Sequence, residues 1–195
     1  MERKAEIRRT TGETDILLTL NLDGSGKAQI DTGIGFFDHM LDAFARHGFF
    51  DLTVQVKGDL HVDGHHTIED TGIVLGQAIR EAAGDKKGSR RYGSFALPMD
   101  ETLVLCALDL GGRAYFASDL AFTVDKIGDF ETEMVQEFFL AVANNAAMNL
   151  HFKMLEGHNN HHIAEAAFKA SAKSLDTAVS FDPRISDVLS TKGSL

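Results

Sequence analysis

The pattern HHxxE occurs twice, as HHTIE at residues 65–69 and as HHIAE at residues 161–165, exactly one interval of 96 positions apart. A repeat of that length confines the chain to folds built from two copies of one supersecondary unit that bury their apolar faces together. The flanking patterns repeat as well. Leu52, Val54 and Val56 alternate with polar neighbours as a half-buried strand does, and 96 residues later Met148, Leu150 and Phe152 do the same. Behind each HHxxE runs a helical stripe: Ile68, Gly72, Leu75, Ile79 and Ala82 in the first half, Ala164, Phe168, Ser171, Leu175 and Ala178 in the second. Gly72 stands where the second copy has Phe168, which predicts that these two helices pack small against large.

Upstream of each strand lies a further helical segment, GFFDHMLDAFARHG and TEMVQEFFLAVANNA. They align if a loop differs by two residues, which pairs Met40 and Leu41 with Phe138 and Phe139, Ala43 with Ala141, and His39 with Glu137. Ahead of them, TDILLTLNLDGSGKAQI and TLVLCALDLGGRAYFAS each read as a hairpin with a glycine turn. The expected fold is therefore α/β (α+β): duplicated β-β-α-β-α halves, 1–93 and 94–195, forming one compact unit. Two antiparallel or mixed sheets carry helices on one face about a pseudo-twofold axis. A linker is expected near 90–98, and the tail after Asp182 and Pro183 has no period.

On a helix, His65 and His66 lie four and three residues before Glu69, so all three project from one turn, while the adjacent histidines diverge by about 100°. One HHxxE can thus touch two ions. With His39 and Glu137 added, each half offers four ligands: His39, His65, His66, Glu69 and Glu137, His161, His162, Glu165. Two ions sharing eight protein ligands keep positions open for water or substrate, as catalytic sites do. Imidazole and carboxylate without thiolate suit Mn²⁺, Fe²⁺, Co²⁺ or Zn²⁺, and open octahedral N/O sites tilt the choice to Mn²⁺. His47, His61, His151 and His158 lack the repeat and read as surface or supporting groups.

Composition narrows the function further. A formal charge of -10 opposes nucleic acid and anionic membranes, so an anionic substrate needs a local basic pocket. Neither a signal peptide nor a membrane-length apolar run is legible, and cytoplasmic localisation is expected. Cys106, the single cysteine, sits in TLVLCALDL and reads as an inert core thiol.

Five motifs, RRTTGET, GIGFFDHMLDAFARHG, DGHHTIEDTGIVLGQAI, NNHHIAEAAFKA and STKG, together make the chain resemble the imidazoleglycerol-phosphate dehydratases of histidine biosynthesis over nearly its whole length. The early position of RRTTGET points to the form without an appended phosphatase domain. The resemblance implies a ribosomal protein S5 domain 2-like fold, a homo-oligomer of 24 subunits with metal sites between them, and two Mn²⁺ per active site. It implies one ion on His39, His66, His161 and Glu165, and the other on His65, Glu69, His162 and Glu137. The familiar pattern VEHFF is VQEFF here, so Glu137 takes the place of a histidine and adds a negative charge.

The resemblance further implies that substrate meets the metal-binding groups, Glu13 of GET, Arg91, Arg113, and Ser190, Thr191 and Lys192 of STKG. Two arginines, a lysine and two hydroxyls make a fitting phosphate clamp. The implied reaction is dehydration of D-erythro-imidazole glycerol phosphate to imidazole acetol phosphate. Because no carbonyl activates the carbon that loses its proton, the ring must supply the push as an imidazolate held by the two metals, passing through a diazafulvene-like intermediate. Glu13, Glu69 and Glu165 are the candidates for acid and base. A dinuclear phosphoester hydrolase and a non-catalytic metal-binding protein are the rival readings of the same residues; the first would release phosphate from a generic ester, the second would bind metal without turnover.

Overall fold

The computed structural model describes residues 3–195. Three strands open the chain, β1 (Lys4–Thr10), β2 (Thr14–Asn21) and β3 (Ala28–Asp31), followed by α1 (Gly35–Gly48), β4 (Asp51–Gly58) and α2 (His65–Ala83). The second half repeats this order as β5 (Tyr92–Met99), β6 (Thr102–Asp109), β7 (Tyr115–Ser118), α3 (Met134–Ala146), β10 (Asn149–Glu156) and α4 (Asn160–Val179). Between β7 and α3 it adds a small hairpin, β8 (Lys126–Ile127) and β9 (Phe130–Glu131). The sheets run β1-β2-β4-β3 and β5-β6-β10-β7. In each, the last strand is parallel to its neighbour and the other pairings are antiparallel.

Strict alternation builds these sheets. On β2, Thr14, Ile16, Leu18 and Leu20 are buried, and on β6 the buried set is Thr102, Val104, Cys106 and Leu108. Successive side chains point to opposite faces, so each sheet has one apolar face for its helices. The helices α1 and α2 cover the first sheet, α3 and α4 the second, and the two helical layers meet with α1 against α4 and α2 against α3. Exchanging the halves leaves that pairing unchanged, as a twofold relation requires. Between the layers lie Phe37, Phe130, Phe138, Phe139 and Phe168, all almost completely buried; a side chain of this kind contributes about 1.5–3 kcal/mol on leaving water.

Four sequence expectations need correction. The segment 90–98 is not a linker, since most of it forms edge strand β5, and an edge is where Pro98 is tolerated because it has no N–H to give the ladder. The expected hairpins are also absent. The strands β2 and β3, like β6 and β7, do not pair with each other; β4 or β10 lies between them.

The third correction concerns register. The helices α1 and α3 both end in a left-handed residue, Phe49 (φ 58°) and Ala147 (φ 52°), whose N–H groups bond the Ala45 and Ala143 carbonyls. The strands that follow therefore match at an offset of 98, Leu52 with Leu150 and Val54 with Phe152, and the two-residue difference falls between strand and HHxxE. A shift of two preserves the period of a strand, so alternation could not reveal it. Finally, Gly72 faces α3 rather than Phe168: a Cβ there would lie 2.7 Å from the Phe138 carbonyl oxygen and 3.0 Å from Ala141 Cβ. Phe168 instead stacks on Phe138, with ring centroids 5.2 Å apart.

Candidate metal centre and active site

Each HHxxE occupies the first turn of a helix, where the residue two before its first histidine accepts from the backbone: as the N-cap of α4, and from just ahead of the N-cap Gly64 in α2. Asn159 Oδ1 accepts the N–H groups of His161 (3.0 Å) and His162 (3.3 Å), and Asp63 Oδ1 accepts that of His65 (2.8 Å).

On α4, His161 turns toward α1. Its Nε2 lies 3.0 Å from Glu165 Oε2, and His39 Nε2 from α1 approaches the same oxygen at 3.5 Å. Ligand atoms of His39, His161 and Glu165 all fall within 4.8 Å of one another, the only such group among the described residues. The other oxygen of Glu165 is occupied by Lys169 Nζ at 2.5 Å, one helical turn on. Burial pushes the Glu165 carboxyl up, but the Lys169 bond and charge, with help from His161 and His39, hold it below the usual range. It is thus an anion with one free oxygen aimed at two imidazoles. Beneath them, the Phe36 ring lies 5.1 Å from that of His161 and 5.4 Å from Phe130 of the β8–β9 hairpin. This insertion, absent from the first half, braces the cluster.

The pseudo-equivalent cluster on α2 is less assembled. His65 Nε2 and Glu69 Oε2 are 3.7 Å apart. Glu137 lies in the first turn of α3, the helix packed on α2, but does not join them in a three-member group.

The second histidine of each pair faces elsewhere. His66 Nδ1 is 3.0 Å from Asp59 Oδ2, while its Nε2 lies 3.7 Å from Glu13 Oε1. The hydrogen bond it donates to Asp59 raises the affinity of His66 for a proton. His162 Nδ1 is 2.7 Å from Glu101 Oε2, and its Nε2 is 4.0 Å from Asp100 Oδ2. The His162 bond, together with the Asn159 N–H, keeps Glu101 far below the ordinary carboxylate range. Within one chain, then, His66 does not reach the His39 cluster and His162 does not reach that of His65.

The family model described as imidazoleglycerol-phosphate dehydratase matches residues 32–175. The chain belongs to the imidazoleglycerol-phosphate dehydratase family. It is 64% identical to the imidazoleglycerol-phosphate dehydratase of Lachnoclostridium phytofermentans and 60% identical to that of Acetivibrio thermocellus, in each case over the whole of both chains. The crystal structure of the dehydratase from Staphylococcus aureus superposes with a TM-score of 0.83 at 37% identity, covering 92% of this chain and 99% of that one. For the Pyrococcus furiosus enzyme in complex with (S)-C348 the values are 0.82 and 37%, with 97% and 100% covered. Family members are hydro-lyases, and the mixed α/β fold expected from the repeat is the fold of these dehydratases.

The remaining substrate candidates of this dehydratase-family chain gather at another corner. Arg91 grips Asp109 through Nε (2.6 Å) and Nη2 (3.0 Å), and its Nη1 donates to the Leu189 carbonyl at 2.7 Å, pinning the tail just before Ser190. The β6–β7 turn that bears exposed Arg113 lies under the end of that tail, where a Cβ on Gly112 would meet Leu195 at 2.9 Å. Ser190, Thr191 and Lys192 lie beside it, held by local turns. Among the described residues no hydrogen bond or ion pair joins this corner to the histidines. Arg91, expected as a phosphate contact, engages its Nε, Nη1 and Nη2 within the chain.

Lys169, Asp59 and Glu101 were missed from sequence. The spacing of Lys169 from Glu165 was a signal for the first. For Glu101 the signal was GET at 12–14 recurring as DET at 100–102. Nothing in the sequence marked Asp59.

Proposed function

We infer that the chain dehydrates D-erythro-imidazole glycerol phosphate to imidazole acetol phosphate in histidine biosynthesis, a cytoplasmic pathway step, with two Mn²⁺ per active site in a homo-oligomer of 24 subunits. The observation that carries the reading is the convergence of His39, His161 and Glu165 from two helices on one point. Two imidazoles and a charged, half-tethered carboxylate are the donor set of an open N/O site and suit Mn²⁺. His66 of another copy would complete this set, and His162 of another copy would join His65, Glu69 and Glu137 in the second. A chain whose own His66 and His162 face away from its clusters is what such sharing requires, which supports sites lying between subunits.

Two divalent ions held by these residues would supply the Lewis acidity that favours an ionised imidazole at neutral pH. The protein supplies the rest. Glu13 stands on the Nε2 side of His66 without a tether to its carboxylate, so it is free to take or deliver a proton at the glycerol carbons. Lys169 keeps one Glu165 oxygen engaged and so preserves the direction of the other. Arg113 with Ser190, Thr191 and Lys192 would meet the phosphate, and Arg91 would act on it chiefly by holding the tail.

Incubating the Mn²⁺-loaded protein with imidazole glycerol phosphate, and following the ketone by ultraviolet absorbance, tests the assignment. Turnover is expected, with none from His162→Ala. Release of inorganic phosphate in its place would identify a hydrolase, and tight binding of metal without turnover a metal-binding protein.

A further inference from the structure

The two histidine pairs are not equivalent, and the difference begins in the loops before them. Residues 59–64, DLHVDG, join β4 to α2, and Asp59 of this loop meets His66 Nδ1. The corresponding stretch between β10 and the second HH pair, residues 157–160, is GHNN, two residues shorter and without a carboxylate. Its histidine is served from elsewhere. Glu101, in the β5–β6 turn, reaches across: Oε2 takes His162 Nδ1, while Oε1 accepts the Asn159 N–H (2.9 Å) and the Thr102 hydroxyl (2.8 Å). Glu101 is the repeat counterpart of Glu13, since DET at 100–102 stands where GET does at 12–14, each opening the second strand of its sheet.

An ionised carboxylate can only accept, so a ring nitrogen 2.7–3.0 Å from one carries the proton. The opposite nitrogen, Nε2, then holds a lone pair. We propose that Glu101 and Asp59 are the positioning residues of the two histidines that reach into a neighbouring copy, fixing His162 and His66 as Nδ1–H tautomers with Nε2 presented to metal. The duplicated glutamates have thereby parted in role: Glu101 backs a ligand, and Glu13 alone stays on the coordinating side with its carboxylate free. This rests on the dinuclear reading above and assigns it two residues that neither HHxxE contains. Carboxylates behind metal-bound histidines raise ligand basicity and fix ring orientation, and their loss costs about 10–100-fold in metal affinity.

The test titrates Mn²⁺ into chelator-treated full-length protein by calorimetry and records magic-angle-spinning ¹⁵N spectra of histidine-labelled, metal-free protein, with His66→Asn and His162→Asn for assignment. Glu101→Ala is expected to weaken one of two sites by about 10–100-fold and Asp59→Ala the other. Each should abolish the Nδ1–H signature of its own histidine only. Glu101→Gln, which keeps the side-chain volume, goes alongside in case the alanine variant does not fold, and is expected to weaken the same site by less. If the wild type binds two ions and the variants match it in affinity and tautomer, or weaken both sites equally with the tautomers unchanged, the positioning roles are overturned and the dinuclear reading stands. A wild type that binds no Mn²⁺ overturns both.

Discussion

Gly76→Ala should loosen the seam between the helices that carry the proposed second metal-ligand set. Gly72 and Gly76 lie one turn apart on the face of α2 that meets α3. A Cβ at Gly76 would sit 2.6 Å from the Val142 carbonyl oxygen, 2.8 Å from Asn145 Cβ and 2.9 Å from the Ala146 nitrogen. Two of these are backbone atoms that cannot rotate aside, so ordinary contact demands that the helices part by roughly 0.8 Å. Such overpacking costs about 1–3 kcal/mol, while alanine in a helix interior regains about 1 kcal/mol over glycine. A net loss of about 0–2 kcal/mol follows, towards the upper end because two of the contacts are backbone, and about 2 kcal/mol in a chain of this size is roughly 4–8 °C in midpoint. The functional loss should be larger, because His65 and Glu69 ride on α2 and Glu137 on α3, and a displacement of about 1 Å at a reacting centre can cost on the order of 10²-fold. Gly35→Ala is the control, since nothing lies within 4 Å of its Cβ. Thermal unfolding at fixed protein and Mn²⁺ concentrations, with Mn²⁺ affinity and turnover, decides the matter. A Gly76→Ala protein that melts with the control and keeps wild-type metal affinity would refute the steric account.

Glu13→Gln should cut turnover by about 10²–10⁴-fold while both Mn²⁺ affinities stay at wild type, because Glu13 is taken as an acid/base and not a ligand; a parallel fall in affinity would make it a ligand. Sites shared between copies should complement. His65→Ala and His162→Ala chains, inactive alone, should recover activity when mixed metal-free and then supplied with Mn²⁺, and a mixture as inactive as its parts would place all ligands of a site in one chain. Burial pushes the Cys106 thiol from 9.0 up to about 12. The folded state therefore favours the neutral form: its contribution is intact below pH 9 and is lost as pH climbs toward 12, by about 1.4 kcal/mol per unit from this group. The urea midpoint of Cys106→Ala should fall less steeply above pH 9, and equal slopes would show that the thiol does not ionise on unfolding.

Which parts of this molecule can be read from its sequence follows from the periods involved. The HHxxE turns were legible because a four-residue interval on a helix brings His161 to Glu165 whatever surrounds it. The central strands β2 and β6 were legible because one of their faces is wholly buried. Edge strands carry a weaker mark. In β1 only Ala5 is buried, and in β5 only Gly93 and Leu97 are, so neither alternates visibly. Pairing between helices was not legible, because Gly72 admits any close neighbour and only the assembled layers select Phe138 over Phe168. Asp59 and Glu101 were hidden for another reason: each lies outside the helix it serves, and only the fold carries Glu101 across 61 positions to His162.

Duplication explains why the candidate site is divided in this way. A twofold pairing of halves necessarily lays α1 on α4 and α3 on α2, so His39 meets the second HHxxE, while Glu137 is carried on the helix packed against the first. Adjacent histidines on a helix diverge by about 100°, and while His161 turns to α1 and His65 to Glu69, His162 and His66 turn to carboxylates of other elements. Two half-buried imidazoles turned away from the clusters each need a polar partner to orient the ring. A carboxylate behind each ring answers that need at the cost of two side chains, and the two halves drew it from different places because one connecting loop is shorter. The glutamate that the shorter loop required in the second half is the one the first half could spare, which leaves Glu13 as the group available for proton transfer.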